Sequence, residues 1–201
     1  MTKAEYSKEP INFETELILR DEVWFSKETD KPYSGKVFSL HENGRKYEEG
    51  TLRDGKMEGK WFKWYKSGKK ENEFTCESGV ISGISVNWSP DGKSITFLRR
   101  TNLSGQYWQA SELWTFSTTN RQFYKQCKGS FYNPNLSWSL DSKWIIFEAY
   151  EDNQSYIWAI NSITKELIKI AKGDAPACSP VANQIAFRRW KDNEDILYQV
   201  N

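Results

Sequence analysis

Few side chains in this sequence could do chemistry, and they are not grouped. The chain of 201 residues has one histidine, His41, and three cysteines, Cys76, Cys127 and Cys178, spaced 51 residues apart. That spacing fits neither a clustered zinc site nor a disulfide framework. A catalytic serine or cysteine needs a neighbouring base, and a metal hydrolase needs several histidines or paired cysteines. The sequence therefore predicts no catalytic residue, no metal site and no cofactor.

One group of carboxylates could suggest otherwise. Glu148, Glu151 and Asp152 are close enough in sequence for an acid–base pair or a cation site. The simpler interpretation is the polar tip of a hairpin over residues 150–155, and it is the one we favour. The sequence contains neither a glycine-rich phosphate loop nor the motif of a serine nucleophile.

The segment Lys60–Lys70 interleaves five lysines with four aromatic residues. Such a segment could stack on a nucleic-acid strand or attract an anionic membrane. The alternative is structural, because Trp61, Trp64 and Tyr65 occupy repeated positions where they would pack on neighbouring hairpins. The chain as a whole has 28 basic and 27 acidic residues and a net charge of +1. We therefore expect no nucleic-acid partner and no membrane association, and keep the three aromatics as candidate binding residues.

The elements that carry these side chains are repeats. Three segments, 35–44, 59–68 and 83–92, each begin and end with glycine and start 24 residues apart. In the first of them, Phe38 and Leu40 alternate with Ser39, which is the period of a half-buried strand with Phe38 and Leu40 on its buried face. Glycine then supplies the positive φ of a hairpin turn. Each segment therefore predicts a β-hairpin.

These residues resemble the bacterial form of the MORN repeat (membrane occupation and recognition nexus), found in proteins of the YwqK antitoxin type. The resemblance covers roughly residues 17–83. It is carried by the lead-in at 31–35 and by the run ENGRKYEEGTLRDGKMEGKWFKWYKSGKK. The resemblance implies a single-layer sheet built hairpin by hairpin and a role in interaction rather than catalysis.

The repeat lengthens in the second half. Residues 88–97, 138–147 and 178–187 align, with starts 50 and 40 residues apart, and each is followed by further strand-like segments. The pattern resembles the TolB-type β-propeller repeat, most closely over 134–173. Its Ser-Pro-Asp-Gly turn is intact only at Ser89–Gly92, and we interpret the changes at Ser139–Ser142 and Ser179–Ala182 as decay of the turn.

We predict an all-β fold in which consecutive antiparallel β-hairpins run into an incomplete set of about three propeller-type blades. The predicted bounds are a lead-in over 1–16, hairpins over 17–83, and blades over 84–201, continuous with the hairpins and with the last blade truncated. Three blades cannot close a ring. The N-terminal hairpins, a partner chain, a second copy at the open blade edges or a longer protein would have to cover those edges.

Tyr107 and Trp108 interrupt the blade register, so the repeat does not require them, and they are the best candidates for contact with a protein partner. The predicted function is a non-catalytic protein–protein interaction module, which as the MORN resemblance implies could sequester a partner as antitoxins do. The alternative is an accessory or scaffold module of a cell-envelope or larger multidomain protein. The first ten residues lack the apolar core of a signal peptide. We therefore expect a cytoplasmic location, or an envelope location if the chain is processed or truncated.

Overall fold

The computed structural model describes residues 7–82, 85–100, 111–129, 136–179, 182, 184–191 and 194–200. Nearly all of their regular structure is β-strand, which confirms the predicted all-β class. The chain divides into two compact units. We call residues 1–85 the N-terminal unit and residues 86–201 the C-terminal unit.

The N-terminal unit is built from hairpins. Its elements are β1 (Ser7–Asn12), α1 (Phe13–Glu16), β2 (Leu17–Arg20), β3 (Val23–Ser26), β4 (Gly35–Leu40), β5 (Lys46–Arg53), β6 (Lys56–Trp64), β7 (Lys70–Glu77) and β8 (Val80–Ile81). Strands β4 to β7 pair in sequence order as an antiparallel meander, and β8 pairs with β7. β2 pairs with β3. β1, from the predicted lead-in, pairs with β4 in parallel.

The turns of this meander form where glycine spacing predicts them. Gly44 and Gly68 end the tight turns β4–β5 and β6–β7 with φ of +76° and +85°, a conformation that favours glycine. In each turn the glycine N–H donates to the carbonyl three residues before it, that of His41 or Tyr65. The 24-residue interval therefore corresponds to one hairpin after another.

The buried face of β4 is the opposite of the one expected. Val37 and Ser39 are 1% and 0% exposed, whereas Leu40 is 39% exposed and Phe38 is half-buried. The alternation is correct, but the core lies on the side of Val37, where side chains from other strands fill it. Its buried members are Leu17, Val37, Leu52, Trp61, Phe74 and Cys76. Local apolarity does not reveal which side those strands occupy.

The C-terminal unit contains three separate sets of paired strands. The first blade is β9 (Val86–Trp88), β10 (Ser94–Arg100), β11 (Ser111–Ser117) and β12 (Phe123–Gly129); the second blade is β13 (Ser137–Trp138), β14 (Trp144–Glu151), β15 (Gln154–Asn161) and β16 (Leu167–Lys172); the third blade is β17 (Asp174–Cys178), β18 (Ile185–Lys191) and β19 (Glu194–Val200). Within each blade the strands pair antiparallel in sequence order. The described sheets are open, and β12 and β16 are the fourth strands of the first and second blades.

The turn at Ser139–Ser142 retains the geometry of the intact turn, contrary to the interpretation as decay. Ser139 Oγ donates to Asp141 Oδ1 at 2.6 Å, the length found between Ser89 and Asp91 in the first blade. Ser142, in the position of the turn glycine, adopts a φ of +60°. The serine and aspartate bonds thus hold the turn although the glycine is absent.

Candidate functional site

The sequence-predicted aromatics of the N-terminal unit do not form one surface. Trp61 is 2% exposed and belongs to the core, where its indole lies against Gly50, and Tyr65 is 9% exposed. Trp64 is half-buried, with its ring 6.1 Å from that of Phe62. Of these three candidates, only Trp64 presents a partly accessible ring.

The other two candidates, Tyr107 and Trp108, lie outside the described residues. Their role as partner contacts stays a prediction. The segment that contains them joins β10 to β11.

Most lysines of the segment Lys60–Lys70 lie within ion-pair distance of glutamates. The ion pairs are Lys60–Glu73 at 3.5 Å, Lys63–Glu48 at 3.7 Å, Lys66–Glu42 at 3.0 Å and Lys70–Glu73 at 3.1 Å. Four of the five lysines are therefore paired with three glutamates, Glu73 being shared by Lys60 and Lys70, and much of the positive charge of the segment is compensated. This pairing removes the electrostatic argument for a nucleic-acid or anionic-membrane surface here.

A small group of ionisable side chains is buried beside this segment. Glu48 is 9% exposed and faces Lys63 directly across strands β5 and β6. Burial raises the pKa of the Glu48 carboxyl, although Lys63 opposes the shift, and burial also raises the pKa of Glu71. Burial acts to lower the pKa of Lys63, but the charges of Glu48, Tyr47 and Glu71 outweigh it and the pKa is raised. One ammonium group thus compensates two poorly hydrated carboxyls.

His41 lies next to this group but is occupied by a structural contact. Its Nε2 is 2.7 Å from the backbone oxygen of Trp64, and its ring centroid is 4.9 Å from that of Tyr47. A carbonyl oxygen can only accept, so Nε2 carries the proton and donates it. That nitrogen is therefore engaged in joining the β4–β5 turn to the end of β6, rather than available as a base.

Two carboxylates of the second blade are engaged in structural contacts, and Glu148 lies within β14 rather than at the tip of the hairpin. Glu148 is 4% exposed, and its two oxygens accept from Ser155 Oγ at 2.6 Å and from the Ala175 N–H at 3.3 Å. Glu151 forms an ion pair of 2.6 Å with Lys169. Across the part of the chain that the structure describes, no group of three or more histidine, cysteine or acidic side chains could hold a metal ion.

The most distinctive surface is an apolar face of the first blade. Ile95, Phe116 and Phe123 are paired across β10, β11 and β12, and Phe97 lies on the same face of β10. The Phe123 ring is 4.8 Å from that of Phe116 and 6.1 Å from that of Phe97. Phe123 is 62% exposed, and the other three are half-buried. We call these four residues the first-blade face.

The same face of the second blade is packed. The blade repeat aligns Ile95, Phe97 and Phe116 with Ile145, Phe147 and Ile160, which are 0%, 2% and 1% exposed. These three residues pack with Leu113, Leu98 and Cys127 of the first blade in one apolar cluster. The first-blade face is thus less covered than the equivalent face of its neighbour. Aligning the two blades identifies the equivalent positions in the sequence, but because both sets are apolar it does not show which set is exposed.

Comparison with known structures fits the blade geometry. TolB from Acinetobacter baumannii matches at a TM-score of 0.51 and 16% sequence identity, over 94% of this chain and 50% of that chain. The fold therefore resembles part of a TolB-type β-propeller. This chain spans about half the length of the TolB chain that it resembles.

Two further solved structures show weaker likeness. The β-propeller domain of the Trilobed protease from Pyrococcus furiosus matches at a TM-score of 0.42 and 14% identity, over 98% of this chain and 58% of that one. Oligogalacturonate lyase in complex with manganese matches at a TM-score of 0.45 and 12% identity, over 88% of this chain and 52% of that one. These likenesses are too weak to bear on function.

No family model and no curated protein matches the sequence. The structural comparison supports the resemblance of the second half of the sequence to TolB-type propellers. None of the comparisons supports the resemblance of the first half to MORN-type antitoxins. In the described ranges, no helix is long and apolar enough to cross a membrane.

Proposed function

We propose that this chain is a non-catalytic protein-interaction module that binds its partner through the first-blade face. The observation that carries the proposal is the exposure of Phe123, 62%, at the edge of a cluster of aromatic rings. Exposed apolar clusters of this kind mark binding surfaces, and aromatic side chains contribute strongly at interfaces.

The partner is expected to present an apolar surface of aliphatic side chains. The equivalent face of the second blade packs against Leu98, Leu113 and Cys127, which are aliphatic or small. A partner with similar side chains would cover Phe97 and Phe116 in the same way. Trp64, Tyr107 and Trp108 remain candidate residues for additional contacts.

Two kinds of partner are compatible with this proposal. An accessory or scaffold module of a cell-envelope or larger multidomain protein agrees with the TolB-like fold, and we favour it. Sequestration of a small toxic protein, as in antitoxins, is the other and has only the sequence resemblance in its support. Identification of the captured protein distinguishes them, since the first predicts envelope or peptidoglycan-linked proteins and the second a small toxic protein in equal amount.

The test is affinity capture from the source cells with wild-type protein, Phe123→Ser and Leu167→Ser. Leu167 is the matched control because it occupies the position of Phe123 in the second blade and is 48% exposed. Light scattering after size exclusion determines in parallel whether the chain binds a second copy of itself. Quantitative binding is then measured with the identified partner.

We expect Phe123→Ser to weaken binding by at least about tenfold, as loss of an aromatic residue that anchors an interface does, and Leu167→Ser to leave it unchanged. Circular dichroism checks that both variants fold. Undiminished binding by Phe123→Ser would overturn the proposal. So would a wild-type chain that captures nothing and is monomeric.

A further inference from the structure

One column of the blade repeat changes from tryptophan to cysteine. Trp88 pairs with Ile95 in the first blade, and Trp138 pairs with Ile145 in the second. In the third blade, Cys178 pairs with Ile185 in the same register. The backbone is thus repeated while a large indole is replaced by a small thiol.

The tryptophan has a packing role where it is present. Trp138 is 3% exposed and belongs to the apolar cluster between the first and second blades, together with Leu113, Leu136 and Ile145. Its ring fills the space between the two sheets at the start of the blade. Protein interiors are close-packed, so removal of such a ring leaves volume unless neighbours move in.

A cavity of about 340 Å³ occupies the corresponding place between the second and third blades. Its apolar lining includes Trp144, Ile146, Ile168, Ile170, Cys178 and Ile185. Ile168 is 40% exposed, so the cavity is within reach of solvent. The described side chains of the third blade leave open the space that tryptophan fills at the preceding junction.

The walls of this cavity are more apolar than their counterparts at the preceding junction. Ile170 stands where the first blade has Gln126, whose Nε2 donates to Thr115 Oγ1 at 2.5 Å, and Ala159 stands in the position of Thr115. The polar atoms at these two positions are therefore replaced by methyl groups. Apolar walls of this kind favour the uptake of small apolar molecules.

We infer that the cavity between the second and third blades binds an indole-sized aromatic group, which takes the place of the missing tryptophan. The group could be a free aromatic molecule or the tryptophan side chain of a peptide. Ser139 and Asp141 also line the cavity and provide oxygen atoms near its apolar walls. The site is separate from the first-blade face and does not depend on the function proposed for that face.

The probes are free indole and the tripeptide acetyl-Ala-Trp-Ala-amide, each titrated by calorimetry and by thermal unfolding. The proteins are the wild type and a graded series at one position: Cys178→Ser, Cys178→Leu and Cys178→Trp. Cys178→Ser preserves the cavity volume and is the matched control. Cys178→Leu fills part of it and still tests the inference if the tryptophan variant does not fold.

We expect saturable indole binding and a rise in Tm for the wild type and for Cys178→Ser, because a ligand that binds only the folded state stabilises it. In Cys178→Trp the dissociation constant for indole should rise by roughly tenfold or more, since the added ring excludes the ligand. Cys178→Leu should give an intermediate value.

The two probes distinguish the source of the aromatic group. Binding of indole alone indicates a free molecule, and binding of the tripeptide with equal or higher affinity indicates a side chain of a partner. Either result supports the inference if the affinity for the probe falls as the side chain at position 178 becomes larger. Failure of the wild type to bind either probe, or equal binding by all four proteins, would overturn it.

Discussion

The indole of Trp61 lies directly against the backbone of Gly50 on the neighbouring strand. A Cβ atom on residue 50 would overlap the ring atoms Cδ2, Cε2 and Cε3 of Trp61. Both residues are in the middle of the N-terminal meander, where Trp61 is only 2% exposed. The glycine is therefore required by close approach of a ring and not by a turn.

Gly50→Ala should destabilise the N-terminal unit by overpacking. We expect a loss of about 3 kcal/mol in the free energy of unfolding, since the added methyl group must displace a buried indole. Gly44→Ala is the control: nothing lies near its missing Cβ, and only its φ of +76° opposes a side chain, which costs about 1 kcal/mol. Urea unfolding measures both. Equal losses would show that the core accommodates the methyl group.

Two glutamates on β7 should respond oppositely to pH. Burial raises the pKa of Glu71 above its ordinary value of 4.5, against the charges of Lys63 and His41 and with a contribution from Glu48. The folded protein therefore binds more protons than the unfolded one between those two pKa values. The stability that this carboxyl contributes is present below its ordinary pKa and is lost as pH rises through the raised one.

The pKa of Glu73 is shifted in the opposite direction, below its ordinary value. Burial acts to raise its pKa, but hydrogen bonds and charge from Lys70 and Lys60 outweigh it and lower the pKa. Its contribution is present above the ordinary pKa of 4.5 and is lost as pH falls through the lowered one. The two residues are thus internal controls for each other.

Glutamine at each position isolates these contributions. Between pH 4 and pH 7, the stability of Glu71→Gln relative to wild type should increase, because the wild type alone acquires a poorly hydrated charge. The relative stability of Glu73→Gln should decrease over the same range. Urea unfolding at several pH values measures both differences. A change of the same sign in the two variants would contradict the assignment of the shifts.

The turn of the second blade should depend on hydrogen bonds more than on its ion pair. Asp141 Oδ1 accepts from Ser139 Oγ and, at 3.1 Å, from the Lys143 N–H, while Lys143 Nζ is 3.7 Å from Oδ2. Asp141→Ala should lower the free energy of unfolding by about 1–2 kcal/mol. Lys143→Ala keeps the backbone bond and should cost less than about 0.5 kcal/mol. Equal effects would assign the turn's stability to the ion pair.

The blade repeat was predictable because its cause is local. Trp138, Ile145 and Phe147 recur at the spacing of their counterparts in the first blade, and the structure pairs them in the same register. A serine and an aspartate two residues later hold the turn even where Ser142 replaces the glycine. The residues of one short segment are therefore enough to set the strand register and to form the turn.

Burial was harder to predict, because it depends on residues distant in sequence. Ser39 and Leu40 are neighbours, and only the position of Leu17 and Trp61 in the folded unit decides that the serine faces the core. For the same reason, the sequence did not indicate that Phe97 and Phe116 would be less covered than their equivalents in the second blade.

By itself, the sequence determined the all-β class, the hairpin turns and the blade register, since alternation of side chains and turn residues act over a few positions. Only the tertiary structure decided which faces are buried. It also showed that Gly50 must lack a side chain, and that an open cavity lies where Cys178 replaces a tryptophan. These outcomes depend on the packing of whole strands against one another, and packing responds to the volume of every neighbour at once.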